Sequence, residues 1–360
     1  MAELLKNRFN AELVNRLATE IKKEYPEFQT RKFNSDVLDD NWQERELKQR
    51  MRHISTVLAE HLPDDYRNAL AILKPVAENF DDLEALIFPD FIELNGLHDY
   101  DASVPAMAHF TQFCSSEFPV RFFIKKYPEK MMQQMFAWAD SDNHHVRRLA
   151  SEGCRPRLPW AIVLPDFKKN PELILPILEK LKNDESEYVR RSVANNLNDI
   201  SKDNPDIVLD IAENWFGENE NIDRLLKHAL RTLLKSGDAK AMKMFGYTPL
   251  KNLVIEDLTL TKQVKWGSEL KFSFSLNSKK RLGKLRVEYV IEFLRANGQY
   301  SRKVFKLSEG EVDSYCKNWK KIHSFKPIST RKYYPGLQYL NIIINGKQVA
   351  SSSFMLDPKD

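Results

Sequence analysis

Residues 144–153 read HHVRRLASEG, and residues 187–196 read EYVRRSVANN. The two segments align on a shared Val-Arg-Arg, and NIDRLLKHALRTLL (221–234) is a third copy with Ile222 at the valine position. The spacings of 43 and 33 residues are typical of HEAT-like helical repeats, in which each helix pair buries its apolar face against its neighbours. These segments therefore predict a solenoid of stacked helices with a concave face.

The sequence around these copies, from residue 1 to about residue 247, has the same helical character. Leu13, Leu17 and Ile21 recur at four-residue spacing, as expected for one face of a helix. Prolines separate such segments and should mark the joints between helices: Pro63, Pro75, Pro89, Pro119, Pro128, Pro165 and Pro171. Short helices joined by short turns indicate stacked helix pairs.

Beyond Tyr247 the pattern changes to short β-strands. The predicted strands are LKFSFSL (270–276), LRVEYVIEFL (285–294), SRKVFKL (301–307) and LQYLNIIING (337–346), with turns at Asn277-Ser278, Asn297-Gly298 and Asn345-Gly346. No helical pattern separates these strands, which favours an immunoglobulin-like sandwich over a parallel sheet. The predicted fold is mainly α, a HEAT-like α-α repeat solenoid in domain 1–247, with an all-β immunoglobulin-like sandwich in domain 248–360.

The composition fits two ordinary globular domains, with 360 residues of which 42% are hydrophobic. The N-terminal stretch is charged in every turn, and no run of about 18 apolar residues follows, so neither a signal peptide nor a membrane span is expected. The expected location is the cytoplasm. Cys114, Cys154 and Cys316 are an odd number and lie far apart, so no disulfide framework and no metal site are predicted.

The net charge of +4 is unevenly distributed. From Pro249 to Asp360 the chain has 21 Lys and Arg against 10 Asp and Glu, a net charge of +11, and the remaining 34 basic and 41 acidic residues give −7. A basic C-terminal domain can bind a polyanion, because lysine and arginine displace counterions from phosphates. Many basic domains bind no nucleic acid, so both interpretations remain open at this point.

The chemistry is expected in SEGCRPRLPWA, residues 151–161. Asp142 or Asn143 can cap a helix that ends near Glu152, with Gly153 just beyond its end. Pro159 suits the first turn of the next helix, which would place Trp160 in that turn. Glu152 and Trp160 could then face one space. A carboxylate at a helix C-terminus is disfavoured by the macrodipole, so this position calls for an explanation.

Arg148, four residues before Glu152, offers the simplest explanation. In this interpretation the two side chains form a surface ion pair worth less than about 1 kcal/mol, and Trp160 belongs to the core. His144 and His145 are adjacent, so they should diverge on a helix and are not expected to share a metal.

The helical repeats, the run VRRLASEG (146–153), the run RPRLPWA (155–161) and the appended β domain resemble the DNA alkylation repair glycosylases of HEAT-like fold, in their AlkC branch. The resemblance covers nearly the whole chain. It implies that the concave face binds duplex DNA, that Glu152 is the catalytic carboxylate and that Trp160 forms an aromatic wall. It further implies that Arg148 contacts a phosphate or orients the site, and that Glu117 is a second acidic residue.

A glycosylase that removes cationic bases needs few catalytic side chains. A base such as N3-methyladenine already carries a positive charge and leaves readily, so a carboxylate beside the developing oxocarbenium ion and an aromatic ring beside the base suffice. Excision of 3-methyladenine is expected and 3-methylcytosine is a further candidate. Other basic side chains could contact phosphates or simply be solvated or paired with acids: Arg155, Arg157, Arg190, Arg191, Lys279, Lys280 and Arg281.

The resemblance therefore implies a monofunctional DNA-alkylbase N-glycosylase that acts as a monomer on double-stranded DNA, in a bacterial-type cytoplasm and associated with the nucleoid, without cofactor or metal. The alternative is a non-enzymatic HEAT-repeat scaffold that binds DNA or protein. The two differ in the role of Glu152. For the enzyme, Glu152→Gln should reduce base release by about two to three orders of magnitude and leave folding and DNA affinity near those of the wild type.

Overall fold

The computed structural model describes residues 4–249, 253–329 and 331–359. Contacts within the chain divide it into two compact units. Unit 1 comprises residues 1–208 and 217–229, and unit 2 comprises residues 209–216 and 230–360.

Sixteen α-helices are present among the described residues: α1 (Ala11–Glu24), α2 (Thr30–Val37), α3 (Leu47–His61), α4 (Tyr66–Ala77), α5 (Ile87–Asn95), α6 (Tyr100–Phe110), α7 (Pro119–Lys126), α8 (Pro128–Trp138), α9 (His144–Glu152), α10 (Pro165–Lys169), α11 (Leu175–Leu181), α12 (Glu187–Ile200), α13 (Pro205–Trp215), α14 (Glu220–Ala229), α15 (Arg231–Ser236) and α16 (Ala239–Met244). Short 3-10 helices span Leu5–Arg8, Trp42–Glu44 and Glu84–Leu86. The first two thirds of the chain are thus helical, as the apolar spacing predicts.

Local signals explain where many of these helices begin. The side chains of Asn10, Asp65, Asp99, Asn143 and Asp238 each accept a hydrogen bond from a backbone N–H in the first turn of the helix that follows. Such caps satisfy donors that a helix leaves without an internal partner.

The prolines differ in where they lie relative to the helices, although the sequence suggests that all of them lie between helices. Pro119, Pro128 and Pro165 are the first residues of α7, α8 and α10, where the missing N–H costs nothing. Pro75, in contrast, lies in the last turn of α4, and Pro89 lies in the first turn of α5. The prediction that these two prolines separate helices is wrong.

The three sequence copies form neighbouring helices of unit 1. α12 packs against α9 on one side and against α14 on the other. The aligned residues Val146, Val189 and Ile222 are all buried. The repeat interpretation is therefore confirmed for this part of the chain, because equivalent positions of the three copies point into a shared apolar layer.

Unit 2 contains the β-strands: β1 (Leu253–Leu260), β2 (Gln263–Val264), β3 (Glu269–Ser278), β4 (Gly283–Leu294), β5 (Tyr300–Val312), β6 (Cys316–Ser324), β7 (Gly336–Ile344) and β8 (Lys347–Leu356). They form a three-stranded sheet in the order β1-β3-β6 and a five-stranded sheet in the order β2-β8-β7-β4-β5. All pairings are antiparallel except that of β2 with β8. Side chains of both sheets meet in one apolar core, as expected for a sandwich.

The first three predicted strands fall within β3, β4 and β5, and the fourth, 337–346, overlaps β7 but extends two residues beyond its end at Ile344. The strands β1, β2, β6 and β8 were not predicted. Turns occur at Asn297-Gly298 and Asn345-Gly346, where Gly298, Asn345 and Gly346 have positive φ. The turn predicted at Asn277-Ser278 is wrong, since β3 continues through Ser278.

The change from helix to strand falls between Met244 and Leu253, around the predicted boundary at 247/248. The compact units do not follow that boundary, because α15 and α16 group with the strands. Gly237, the residue that ends α15 with φ +79°, lies close to the turn between β7 and β8. A Cβ on Gly237 would lie 2.7 Å from the carbonyl oxygen of Gly346 in the β7–β8 turn, so only glycine permits this approach.

Candidate active site

The helix that carries Glu152 is fixed at both ends. Asn143, not Asp142, caps α9, since its side chain accepts a 2.8 Å hydrogen bond from a backbone N–H of the first turn. The helix ends at Glu152, as predicted, and Gly153 follows with an ordinary right-handed conformation. A Cβ on Gly153 would lie 2.6 Å from Cγ1 of Val120. Glycine is therefore required here by the close approach of α7.

The Glu152 carboxylate is almost fully buried, and both of its oxygens have partners. Oε1 accepts a hydrogen bond from Nη1 of Arg155 at 2.6 Å and lies 3.2 Å from Nη2 of Arg148. Oε2 accepts a hydrogen bond from the Ser192 hydroxyl at 2.7 Å. Only 6% of the Glu152 side chain is exposed. The interpretation of Arg148 and Glu152 as a surface ion pair is thus wrong.

Arg148 joins Glu152 to the second carboxylate, Glu117. Its Nη1 donates to Oε2 of Glu117 at 2.9 Å and to the Ser115 hydroxyl at 2.5 Å. Ser115 in turn donates to the same Glu117 oxygen at 3.0 Å. The guanidinium lies over the ring of Tyr188, 5.1 Å from its centroid. One arginine therefore brings together the two carboxylates that the resemblance singles out.

Arg155 extends the cluster on the other side of Glu152. Its Nε donates to Oδ2 of Asp199 at 2.8 Å, and Lys202 donates to Oδ1 of Asp199 at 2.7 Å. The resulting ion network consists of six residues: Glu117, Arg148, Glu152, Arg155, Asp199 and Lys202. Its three carboxylates balance its three cations.

The arginines of the ion network keep their charge although they are buried. Burial opposes the charge on Arg148, but Glu152 and Glu117 outweigh it and hold the pKa of Arg148 above its ordinary value. Burial likewise opposes the charge on Arg155, and Glu152 and Asp199 raise its pKa. Glu152 therefore lies between two permanent positive charges, which hold its carboxylate in place.

A loop, residues 153–164, leads from the end of α9 to α10. The fully buried side chain of Arg121 holds this loop. Its Nη1 donates to the carbonyls of Gly153 and Arg155 at 2.9 and 2.7 Å, and its Nε donates to the carbonyl of Ile162 at 2.6 Å. Burial lowers the pKa of Arg121 to about 10. Arg121 thus fixes both ends of the loop.

Trp160 lies within this loop, so the prediction that it starts the next helix is wrong. α10 begins only at Pro165. Trp160 is 57% exposed, which also contradicts its interpretation as a core residue. Its φ is +68°, in the left-handed region that bulky residues avoid. Lys48 donates a 2.7 Å hydrogen bond to its carbonyl.

The Trp160 side chain borders a cavity of about 280 Å³ on the surface of unit 1. The residues that line it are Lys48, Glu93, Phe118, Phe122, Trp160, Ala161 and Ile162. Among the described residues, no hydrogen bond or ring contact links Trp160 to Glu152. Phe118, which also lines this cavity, directly follows Glu117 in the chain.

The predicted DNA-binding arginines differ in which partners their guanidinium groups have within the protein. Arg148 and Arg155 are paired with carboxylates, Arg148 with Glu117 and Glu152 and Arg155 with Glu152 and Asp199. Arg157 is paired with Asp203, and Arg190 donates to two backbone carbonyls just before α12.

Other predicted basic residues are exposed. Arg191 pairs with the exposed Glu187 at the surface of α12. Lys279, Lys280 and Arg281 lie exposed between β3 and β4, where Arg281 pairs with an exposed aspartate. These four side chains are exposed to solvent, and their contact with DNA stays a prediction.

The two adjacent histidines do not diverge as predicted. The ring centroids of His144 and His145 are 4.1 Å apart, and both rings lie near Tyr188. Burial and the neighbouring His144 and Arg148 lower the pKa of His145. In the part of the chain that the structure describes, no group of three or more His, Cys, Asp or Glu side chains is arranged to hold a metal ion. No helix among those residues is long and apolar enough to cross a membrane.

Sequence reasoning missed five residues of this site, Ser115, Arg121, Tyr188, Ser192 and Lys202, and it left Asp199 open as a groove-lining residue or one that bridges repeats. The repeat alignment contains a signal for two of them. Ser192 stands where the first copy has Leu149, and Tyr188 stands where it has His145. A polar residue in place of a buried leucine suggests a partner on the neighbouring helix, and that partner is Glu152.

Comparisons with known proteins match both parts of the chain. A family profile described as DNA alkylation repair enzyme matches residues 106–242, which contain the whole ion network. A second profile, described as the C-terminal Ig-like domain of the uncharacterised protein YhaZ, matches residues 254–358. The helical repeats with their buried acids and the β-sandwich together define the class, the DNA alkylation repair enzymes.

Two relatives extend over nearly the full chain. YhaZ of Bacillus subtilis (strain 168) is 44% identical over 354 residues, which cover 98% of this chain and 99% of the relative. The structure of the Pseudomonas fluorescens alkylpurine DNA glycosylase AlkC, bound to DNA containing an abasic site analog, is 35% identical with a TM-score of 0.95 and covers 99% of this chain and 100% of that one. The chain therefore belongs to the AlkC group of DNA glycosylases within the DNA alkylation repair enzymes, which confirms the predicted family and fold class.

Proposed function

We propose that this protein hydrolyses the N-glycosidic bond of cationic N-alkylated bases, 3-methyladenine first and 3-methylcytosine as a further substrate, in double-stranded DNA. The observation that carries this proposal is the pair of carboxylates, Glu117 and Glu152, joined by Arg148. The relative of known structure supports the substrate class, since it is an alkylpurine DNA glycosylase bound to abasic-site DNA.

The leaving group explains why so few side chains suffice. A cationic base takes the electron pair of the glycosidic bond with it and departs as a neutral molecule, so no strong general acid is needed. The sugar is left as an oxocarbenium ion. A carboxylate about 4 Å from that cation contributes roughly 4 kcal/mol at an effective dielectric constant near 20, or about a thousandfold in rate.

The exposure of the two acids suggests a division of roles. The Glu117 side chain is 17% exposed, against 6% for Glu152. Both oxygens of Glu152 have partners in Arg148, Arg155 and Ser192. Glu117 is therefore the better candidate to face the sugar. Glu152 anchors Arg148, which holds Glu117, and gains access to the reaction centre only when Arg148 moves.

The same carboxylate can complete the reaction. Water adds to C1′ of the oxocarbenium ion, and the proton that it loses passes to the carboxylate and then to solvent. The products are the free base and an abasic site. The reaction needs no lysine Schiff base, which fits a monofunctional enzyme without metal or cofactor.

Contacts with DNA follow from the exposed side chains. Arg191 on α12 and Lys279, Lys280 and Arg281 between β3 and β4 supply the phosphate contacts of this proposal. Trp160 supplies an aromatic contact in this proposal, because its ring is exposed. An indole attracts a cationic base by about 0.5 to 1 kcal/mol at an exposed site and by about 2 kcal/mol once the contact excludes water. The protein acts as a monomer on the DNA of the bacterial nucleoid.

Release of free bases from randomly methylated duplex DNA, separated by chromatography, tests the proposal. The wild type should release 3-methyladenine, and Glu117→Gln should lower the single-turnover rate by about two to three orders of magnitude. Glu129→Gln, at an exposed position in the first turn of α8, is the matched control and should keep the wild-type rate. Absence of release from the wild type would favour the non-enzymatic scaffold, whereas an unchanged rate in Glu117→Gln would exclude Glu117 as the carboxylate that faces the sugar.

A further inference from the structure

The backbone of Trp160 has a conformation that tryptophan does not favour. Its φ of +68° lies in the left-handed region, where the Cβ of a bulky residue crowds the backbone and glycine alone is free of strain. A residue with such a conformation keeps it only when the surrounding structure holds it there. The groups that contact the Trp160 backbone therefore decide where its side chain points.

The group that contacts this backbone comes from a distant helix. Arg121 fixes the two ends of the loop 153–164, but the carbonyl of Trp160 is not among its acceptors. That carbonyl accepts a 2.7 Å hydrogen bond from the ammonium of Lys48, which precedes it by 112 residues. Lys48 is an exposed residue in the first turn of α3. One surface side chain thus holds the strained residue.

No acid competes with the Trp160 carbonyl for this ammonium. Among the described residues, Lys48 forms no ion pair with a carboxylate. Glu93 lines the same cavity as Lys48, but it pairs with Arg52, one turn further along α3. The hydrogen bond to the Trp160 carbonyl is therefore the polar contact that Lys48 makes within the protein.

Lys48 also contacts the segment that carries Glu117. Its ammonium lies over the ring of Phe118, 5.1 Å from the centroid, within the distance of about 6 Å at which a cation and an aromatic ring attract each other. Phe118 directly follows Glu117, the carboxylate that faces the sugar in the proposed function. Lys48 therefore connects the backbone of Trp160 to the segment of the reacting carboxylate.

The indole of Trp160 has few other contacts that could orient it. Its residue is 57% exposed, and in the part of the chain that the structure describes the indole makes no hydrogen bond and no ring contact. A ring that must be ordered when a ligand binds contributes less to binding than a ring that is already in place, because ordering costs conformational entropy. The backbone of Trp160 is thus the main determinant of how well the indole is placed.

We propose that Lys48 is a positioning residue, whose hydrogen bond holds the left-handed backbone of Trp160 and so orients the indole for the cationic base. This inference rests on the proposed function, from which it takes the contact between Trp160 and the base. Lys48 acts through Trp160 and does not itself bind the base or a phosphate.

19F NMR of the full-length protein labelled with 5-fluorotryptophan tests the positioning without reference to activity. The chain has six tryptophans, and the resonance that is missing from Trp160→Phe is that of Trp160. Lys48→Met keeps an unbranched apolar side chain and removes the ammonium. In this variant the Trp160 resonance should shift towards that of the free amino acid or broaden, while the others stay in place.

Two further variants control for the charge and for the substitution itself. Lys48→Arg should restore the Trp160 resonance, because a guanidinium can donate to the same carbonyl. Lys32→Met, at an exposed position of α2, is the matched control and should leave all resonances unchanged. An unchanged Trp160 resonance in Lys48→Met, or an equal change in Lys32→Met, would refute the positioning.

A double-mutant cycle separates action through Trp160 from a direct contact with DNA. At saturating enzyme, Trp160→Ala should lower the single-turnover rate of base release by about 5- to 30-fold, the factor that a cation–π contact supplies. Lys48→Met should lower it by no more than that factor, and the combined variant should match Trp160→Ala alone. Losses that multiply in the combined variant would show that Lys48 acts independently of Trp160 and would overturn the proposal.

The dependence of DNA affinity on salt excludes or reveals a phosphate contact of Lys48. For an undamaged duplex, the slope of log K against log salt should be the same in the wild type and in Lys48→Met. A slope reduced by about 0.9 would show that Lys48 neutralises a phosphate itself, which would contradict the proposal.

The positioning and the proposed function can fail independently. A wild type that releases no base, together with the expected change of the Trp160 resonance in Lys48→Met, would refute the glycosylase and keep the positioning of the indole. A wild type that releases base, together with an unaltered Trp160 resonance in that variant, would refute only the positioning.

Discussion

Replacing Glu152 by glutamine removes the central negative charge of the ion network and nearly preserves the size of the side chain. In the folded protein, Oε1 of Glu152 lies 2.6 Å from Nη1 of Arg155 and 3.2 Å from Nη2 of Arg148. Because the six charges of the network sum to zero, the substitution leaves a net positive charge in a buried place. Breaking a buried ion pair by removing one partner costs about 3 to 5 kcal/mol.

Glutamine keeps one acceptor oxygen, so the cost should be somewhat lower than that of losing the whole pair. We expect the free energy of unfolding to fall by about 2 to 4 kcal/mol. For a unit of this size, 1 kcal/mol corresponds to about 2–4 °C in the melting temperature. The helical unit of Glu152→Gln should therefore melt roughly 5–12 °C below the wild type. This result would differ from the sequence-based expectation that folding stays near that of the wild type.

Thermal unfolding followed by circular dichroism at low and high salt measures this effect. Glu117→Gln is the comparison, because Glu117 is more exposed and Arg148 keeps Glu152 as a partner in its absence. Its loss should be about 1 kcal/mol, or about 2–4 °C. Equal melting temperatures for Glu152→Gln and the wild type would show that the network is not buried as described. Equal losses in the two variants would show that exposure does not distinguish the acids.

Three further predictions concern other buried ionisable side chains: Arg121, Asp90 and His323. Arg121→Met should remove the donors to three carbonyls of the loop 153–164 and cost about 3 kcal/mol or more; amide hydrogen exchange in that loop should rise at least tenfold, and protection like that of the wild type would rule out the clamp. Burial raises the pKa of Asp90 to about 6, so the stability that the protonated carboxyl contributes is lost as the pH rises through 6. At pH 7.5, Asp90→Asn should therefore raise the free energy of unfolding by up to about 3 kcal/mol. Urea unfolding measures this gain, which should be absent at pH 4. Burial lowers the pKa of His323 in the sandwich to about 4, so the free energy of unfolding should fall by about 3 kcal/mol as the pH falls from 6.5 through 4. In His323→Phe, unfolding followed by fluorescence should show no such loss. A loss that persists in this variant would point to other groups.

Local signals allowed much of the fold and part of the site to be predicted. The cap at Asn143, the end of α9 at Glu152 and the repeat of Val146 at Val189 each depend on neighbours within a few residues, so the sequence displays them directly. The partners of Glu152 do not. Ser192 lies 40 residues away in the chain, and only the packing of α12 on α9 brings it to the carboxylate.

The errors have equally specific causes. Pro159 suits the start of a helix, but it also suits a turn, and the buried guanidinium of Arg121 holds this stretch as a loop. β6, which reads CKNWKKIHS, was not predicted because lysines occupy positions next to the buried Trp319. Charge balance in the ion network is a property of two helices, α9 and α12, and of three connecting segments together. It becomes visible only when the long-range contacts are known.

The division of the chain into units affects the order in which the protein can fold. The chain enters unit 2 at Leu209, returns to unit 1 at Gly217 and leaves it again at Leu230. During synthesis, residues 209–216 must therefore wait for residues beyond 230 before their partners in unit 2 exist, and the ring of Phe216, for example, lies 5.6 Å from that of Phe245. A nascent chain that stops near residue 229 should expose an unpaired helix end to chaperones. For the same reason, no single proteolytic cut can release the sandwich with its helices intact.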